Sequence, residues 1–148
     1  MDTSGAVTAI TSGQKYFIRN HSTNNYIVLC LSGDICQSWT AETSWEVVLK
    51  GTDSYSSYYV FRKEVTAERI NSGLGVTAVN GVLQESTDFE WYITYDSAHT
   101  GSSNDKLKCI KSRDNGKFLK ADKTSSKIQK TSKCNKSNKR WKFFNDNN

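Results

Sequence analysis

The feature that most constrains this chain is a threefold recurrence of strand-like segments, each closed by a tryptophan. Three aromatic or aliphatic segments open the units: Tyr16-Phe17-Ile18-Arg19, Tyr59-Val60-Phe61-Arg62 and Leu107-Lys108-Cys109-Ile110. Three others close them: Ser44-Trp45-Glu46-Val47-Val48, Glu90-Trp91-Tyr92-Ile93-Thr94 and Arg140-Trp141-Lys142-Phe143-Phe144. The tryptophans stand 46 and 50 residues apart. A recurrence at this period marks supersecondary units that cannot bury their apolar faces alone. Three units in 148 residues are too few for most propellers. They predict closure into a single pseudo-threefold barrel.

Within each unit the apolar residues mostly alternate, and short strands are separated by turn residues. Tyr16–Asn20, Tyr26–Leu31, Ile35–Trp39 and Trp45–Lys50 form the first set, and Tyr58–Lys63, Gly75–Val79, Val82–Glu85 and Glu90–Tyr95 the second. Lys106–Ser112, Lys117–Ala121, Lys127–Lys130 and Trp141–Asn145 form the third. The expected fold is all-β: a β-trefoil of twelve short strands, six in a barrel and six in three capping hairpins. Residues 1–13, rich in Thr, Ser, Gly and Ala, read as a flexible arm before one domain spanning 14–148, with repeats at 14–56, 57–104 and 105–148. The chain has no proline, so Gly, Asn, Asp and Ser must make the turns. Val79-Asn80-Gly81-Val82 carries the strongest hairpin signal of the second unit. Trp45, Trp91 and Trp141 occupy equivalent positions and are expected in the core. Trp39 lies outside that register, and either a surface role or a place capping the barrel suits it.

Charge is distributed unevenly. Residues 1–100 hold six Lys and Arg against eleven Asp and Glu, whereas residues 101–148 hold fourteen against four. The last repeat is therefore cationic. No apolar run is long enough to span a bilayer. The opening Met1-Asp2-Thr3-Ser4-Gly5 is acidic and lacks an apolar signal core, so the expected location is cytoplasmic, with release by a non-classical route or a leader already removed as alternatives. Cys30, Cys36, Cys109 and Cys134 lack zinc-site spacing. Cys30 and Cys36 flank Ser32-Gly33-Asp34 and could face each other across a hairpin, but the expected compartment favours free thiols. His21 and His99 have no nucleophile or orienting acid nearby in sequence, and no GxSxG, HExxH or P-loop pattern occurs. A non-catalytic protein without metal or cofactor is expected.

Several of these segments resemble the mushroom β-trefoil lectins of the ricin-B-like superfamily. The likeness begins at Ala6-Val7-Thr8-Ala9-Ile10-Thr11-Ser12-Gly13-Gln14-Lys15-Tyr16-Phe17-Ile18, where a Gly-containing turn enters an aromatic first strand. It continues at Ser44-Trp45-Glu46-Val47, Asn71-Ser72-Gly73-Leu74-Gly75, Asp88-Phe89-Glu90-Trp91-Tyr92-Ile93-Thr94 and Arg140-Trp141. The Gln-x-Trp signature of ricin-B repeats is absent: Thr43-Ser44-Trp45, Phe89-Glu90-Trp91 and Lys139-Arg140-Trp141 replace it. The resemblance implies recognition of glycans or glycoproteins, in a setting of fungal defence. It also implies a sugar site at the end of the second repeat, built from Val76, Asp88, Phe89, Glu90 and Trp91. Phe89 would stack on a pyranose face and Asp88 would accept hydroxyl hydrogen bonds.

Mushroom β-trefoil protease inhibitors are similar in the same segments, so the fold does not choose between the two activities. An inhibitor would act through a surface loop, and Thr66-Ala67-Glu68-Arg69-Ile70-Asn71 offers Arg69, Ile70 and Asn71 to a trypsin-type protease. A further alternative is an anionic glycan or other polyanion held by Lys120, Lys123, Lys127 and Lys130. Asn20-His21-Ser22 and Asn135-Lys136-Ser137 are N-glycosylation sequons, expected to be silent without a secretory route.

Overall fold

The computed structural model describes residues 5–63, 68–78 and 86–147. Twelve strands occur among them, four in each third of the chain. The first third contributes β1 (Gln14–Asn20), β2 (Tyr26–Leu29), β3 (Ile35–Ser38) and β4 (Trp45–Thr52). The second contributes β5 (Ser57–Arg62), β6 (Glu68–Ile70), β7 (Val76–Ala78) and β8 (Trp91–Thr94). The last contributes β9 (Cys109–Ser112), β10 (Phe118–Ala121), β11 (Ile128–Thr131) and β12 (Trp141–Asn145).

Antiparallel pairing runs β12–β1–β4–β5–β8–β9 around a barrel. Lys108 and Trp141 close the ring, each backbone N–H donating to the other's carbonyl at 2.8 Å. Hairpins β2–β3, β6–β7 and β10–β11 stand over one end. The first hairpin joins both others: Ile35 N–H donates to Leu74 O (3.0 Å), Val76 N–H to Gly33 O (3.1 Å) and Gln37 N–H to Ser126 O (2.7 Å). This arrangement is a β-trefoil, as the sequence periodicity predicts. Closure leaves few strand edges unpaired, which matters for a chain with no proline to guard them.

The three equivalent tryptophans explain the internal symmetry. Trp45, Trp91 and Trp141 are each 0% exposed. Each indole Nε1 donates to a carbonyl in its own repeat's capping hairpin: Ile27 O at 2.9 Å, Ile70 O at 3.2 Å and Leu119 O at 3.2 Å. Each ring thus fills the barrel while its only polar atom is satisfied, the condition for burying Trp without a large penalty. Alternation does the rest: in β1, Tyr16, Ile18 and Asn20 point inward and the residues between them are partly exposed.

Two expectations need correction, and a third falls on residues that are not described. The described part of the arm is docked rather than loose: Val7 N–H donates to Phe143 O (2.8 Å) and Gly13 N–H to Val47 O (2.8 Å). Val7 and Ile10 pack against the core, and the buried Lys108 ammonium donates to Thr8 O at 2.6 Å. Composition suggested looseness, but a few apolar residues and backbone pairing suffice to fix the segment. A turn at 71–75 joins β6 to β7, and the expected Asn80-Gly81 turn lies outside the described residues. Asn71 Oδ1 accepts from Gly73 N–H (3.0 Å) and Gly75 N–H (3.2 Å), closing an Asx-type turn. Finally, the cysteines are not free thiols. Cys30–Cys36 and Cys109–Cys134 are disulfides, with Cα separations of 6.0 and 6.2 Å that suit the bond.

Candidate functional site

The second-repeat residues implied by the lectin resemblance fall into two groups. Trp91 is a core side chain and cannot offer a ring face to a ligand. Glu90 is 7% exposed, and its Oε1 accepts from Arg113 Nη1 at 2.8 Å. Val76 packs against the core from the capping hairpin. These three have internal roles: Trp91 fills the barrel, Glu90 is paired with Arg113, and Val76 packs from β7. Asp88 and Phe89 are half-buried in the short 3₁₀ turn Thr87–Phe89 before β8. There Asp88 accepts from the Ser86 hydroxyl, and its carbonyl accepts from Ser72 N–H at 2.7 Å.

Glu90 belongs to a network that ties the β4–β5 turn to β8 and β9. Arg113 also donates from Nε to Asp53 Oδ2 (3.1 Å), Tyr92 Oη donates to the same oxygen (2.5 Å), and the guanidinium lies 3.9 Å from the Tyr58 ring centre. The Tyr92 hydroxyl, the N–H groups of Tyr55 and Ser56, and Arg113 together hold the Asp53 carboxyl far below the usual carboxylate range. A carboxyl whose folded-state pKa is depressed stabilises the fold fully above its unfolded value, and that contribution fades as pH falls toward the folded value. Urea titrations of the wild type and Asp53→Asn should therefore differ by a constant amount above pH ~5, and the gap should narrow as pH drops below ~4. A gap that stays unchanged down to pH ~2 would show that Asp53 does not carry it.

The inhibitory-loop expectation also fails on position. Arg69 is 4% exposed in the middle of β6, paired with Thr77, and Ile70 is fully buried. Asn71 spends its side-chain carbonyl on the turn and donates from Nδ2 to Thr77 Oγ1 at 3.0 Å. A protease cleft needs an exposed, extended segment, and this one is part of the sheet.

An open cleft lies elsewhere, around the tryptophan outside the threefold register. Trp39 is 83% exposed just after β3, in contrast to the other three. Ser38 and Thr40 hydroxyls share a hydrogen bond (3.0 Å), and Thr40 Oγ1 donates to Glu42 Oε1 (2.7 Å), so the chain beside the ring is fixed. Trp39 borders a cleft of about 540 Å³ between the first and third repeats. The 22–25 loop forms one wall and the β10–β11 turn, residues 122–126, forms the other.

Gln37 is the joint between these walls. Its buried amide donates to Asp122 O (3.0 Å), Ser125 O (3.3 Å) and Lys127 O (2.9 Å), and its Oε1 accepts from Thr23 Oγ1 (2.8 Å). Asp122 shapes the far wall: its Oδ1 accepts from Thr124 N–H (3.0 Å) and its Oδ2 from Ser125 Oγ (2.9 Å). The Thr124 N–H, the Ser125 and Thr124 hydroxyls and the Lys120 charge lower the Asp122 pKa, so the group is a carboxylate at neutral pH. Its remaining lone-pair directions are available to a ligand hydroxyl. The Trp39 Nε1, the Asn25 amide, the Ser22 and Ser126 hydroxyls and the Lys123 ammonium engage no partner among the described residues. The cleft thus offers one exposed aromatic face, one anionic acceptor and several unengaged donors.

No protein-family model matches the sequence, and no curated protein matches it significantly. Solved structures do. A salivary protein from Culex of the cysteine- and tryptophan-rich family superposes with a TM-score of 0.73 at 14% identity, covering 94% of this chain and 97% of that one. The ricin B-like lectin of Macrolepiota procera, solved in complex with lactose, gives 0.66 at 17% identity over 92% of this chain and 98% of its own. The Polyporus squamosus lectin, bound to a sialylated trisaccharide epitope, gives 0.68 at 14% identity, covering 91% of this chain and 50% of that one. The fold is a β-trefoil, shared with these structures. At these identities the likeness establishes architecture alone.

The motif likeness pointed to the second repeat, whereas the most open cleft bordered by an exposed aromatic ring lies between the first and third. The usable signal was Trp39 itself: an aromatic residue that breaks a threefold pattern is not needed by the core. Its partners Asn25, Gln37 and Asp122 come from segments up to 97 residues apart, and only the meeting of the first and third capping hairpins assembles them.

Proposed function

We propose that the protein is a non-catalytic carbohydrate-binding protein whose site is the Trp39 cleft. The observation that carries this reading is a tryptophan ring fully presented to solvent beside an ionised carboxylate and unengaged amide and hydroxyl groups. A pyranose presents an apolar C–H face to such a ring, while its hydroxyls donate to a carboxylate and accept from amides. That solved β-trefoils with this architecture include lectins holding lactose and a sialylated epitope supports the same class of ligand. The two disulfides support action in an oxidising environment rather than the cytoplasm. Fungal defence stays part of the proposal only through the lectin resemblance.

A glycan array read with three proteins tests the site. Trp39→Ala should lose about 2 kcal/mol or more of binding, roughly thirtyfold, with its melting temperature unchanged. The Asp88→Ala, Phe89→Ala double variant should bind like the wild type. If the double variant loses binding while Trp39→Ala keeps it, the site belongs to the second repeat and the proposal fails.

A further inference from the structure

The folded chain sorts the lysines of the last repeat into groups that the sequence could not separate. Eight cations and no carboxylate lie between Asp122 and Asp146. Three lysines of this region are committed elsewhere. Lys123 lines the Trp39 cleft, Lys127 lines a second cleft beside the Cys30–Cys36 disulfide, and Lys130 donates to Ser72 O at 3.1 Å. A different set converges. Lys120 is the outward residue of β10 between buried Leu119 and Ala121, and β10 is held against the turn Ser137–Lys139 by Asn138 Nδ2 donating to Ala121 O at 2.9 Å. Lys133 and Lys136 are exposed on either side of Cys134, which is bonded to Cys109 in the buried strand β9. Lys139 lies in the same turn, with Nζ donating to Asn135 Oδ1 at 3.0 Å. Its pKa is lowered by burial and then by the charges of Lys136, Lys120 and Lys133, so these three ammonium groups all lie within range of Lys139. The nearest acid, Asp122, is already bonded to its own turn.

We infer that Lys120, Lys133, Lys136 and Lys139 form a second binding surface, separate from the Trp39 cleft, for a sulfated polysaccharide. Lys133, Lys136 and Lys120 all bear on Lys139, Asp122 is the carboxylate acting near Lys120, and a polyanion relieves the excess positive charge while releasing its own counterions. The disulfide holds the Lys133–Lys136 loop in place before binding, so little ordering entropy opposes association. The chemistry favours a sulfated glycan over other polyanions. No exposed aromatic ring lies among the four lysines to stack on nucleic-acid bases. Among the described residues the large apolar side chains exposed to solvent, Leu31, Trp39, Leu49, Tyr55 and Tyr95, all lie outside the last repeat. Two disulfides match an oxidising compartment, where sulfated polysaccharides are the abundant polyanions.

The test uses the full-length oxidised protein with heparin as the probe, titrated at several salt concentrations. The Lys120→Gln, Lys133→Gln, Lys136→Gln, Lys139→Gln variant should lose at least about tenfold in affinity and show a shallower salt dependence. A variant of equal charge loss at Lys50, Lys106, Lys117 and Lys127 should stay within about threefold of the wild type. Trp39→Ala should bind heparin unchanged, which separates this surface from the glycan cleft. Should the fourfold variant fold poorly, Lys133→Gln, Lys136→Gln removes the two exposed members and should give an intermediate loss. Equal losses in both fourfold variants, or no heparin binding by the wild type, overturn the inference. Tighter binding to single-stranded DNA or to anionic phosphatidylserine vesicles than to heparin also overturns it, as does equal binding of fully desulfated heparin.

Discussion

Trp91→Ala is expected to destabilise the domain by about 3–5 kcal/mol, a large part of the 5–15 kcal/mol that holds a typical domain together. The ring is 0% exposed, it packs beside Phe61, and its Nε1 satisfies the Ile70 carbonyl of the second capping hairpin. Truncation leaves a cavity in a closed barrel that cannot collapse easily, and it orphans a buried acceptor. Trp39→Ala removes an indole of the same size and should change stability by no more than about 0.5 kcal/mol, because the ring already faces water. Chemical denaturation of the two variants side by side measures the contrast directly. A loss below about 1.5 kcal/mol for Trp91→Ala would mean that the tryptophan does not fill the barrel as described.

The second large effect concerns the disulfides. The Cys109–Cys134 bond spans 25 residues and ties the loop after β11 to a central barrel strand, so its removal should cost about 3–4 kcal/mol by loop-closure entropy. The Cys30–Cys36 bond closes a span of only 6 residues, and the same reasoning makes its removal about 1 kcal/mol milder. The pairs Cys109→Ala, Cys134→Ala and Cys30→Ala, Cys36→Ala should thus lower the denaturation midpoint in that order. Thiol alkylation followed by mass spectrometry supplies the complementary measurement. Protein denatured without reductant should take up no label, and the detection of four reactive thiols would overturn the assignment.

The architecture was legible from sequence because a β-trefoil is built by repetition. Apolar residues recurring with period two mark strands, and a tryptophan every 46 to 50 residues marks the point at which each repeat closes. Less was legible in the turns. Asn71 encodes a tight turn that was not singled out, and the pairing of Glu68–Ile70 with Val76–Ala78 uses it. Compartment alone favours free thiols here, whereas thiol pairing depends on the distance between Cα atoms that strand packing sets.

Sequence by itself determined the fold class, the three core tryptophans and the cationic last third, since periodicity and composition are properties of neighbouring residues. Tertiary structure alone decided which polar groups meet. Gln37 reaches across to residues 122–127, Glu90 is consumed by Arg113, and Lys120 joins Lys133, Lys136 and Lys139, because barrel closure brings the third repeat back against the first and second. A binding surface is a long-range juxtaposition of groups with unspent hydrogen-bonding capacity or charge, and that remainder is defined only after every internal partner has been chosen.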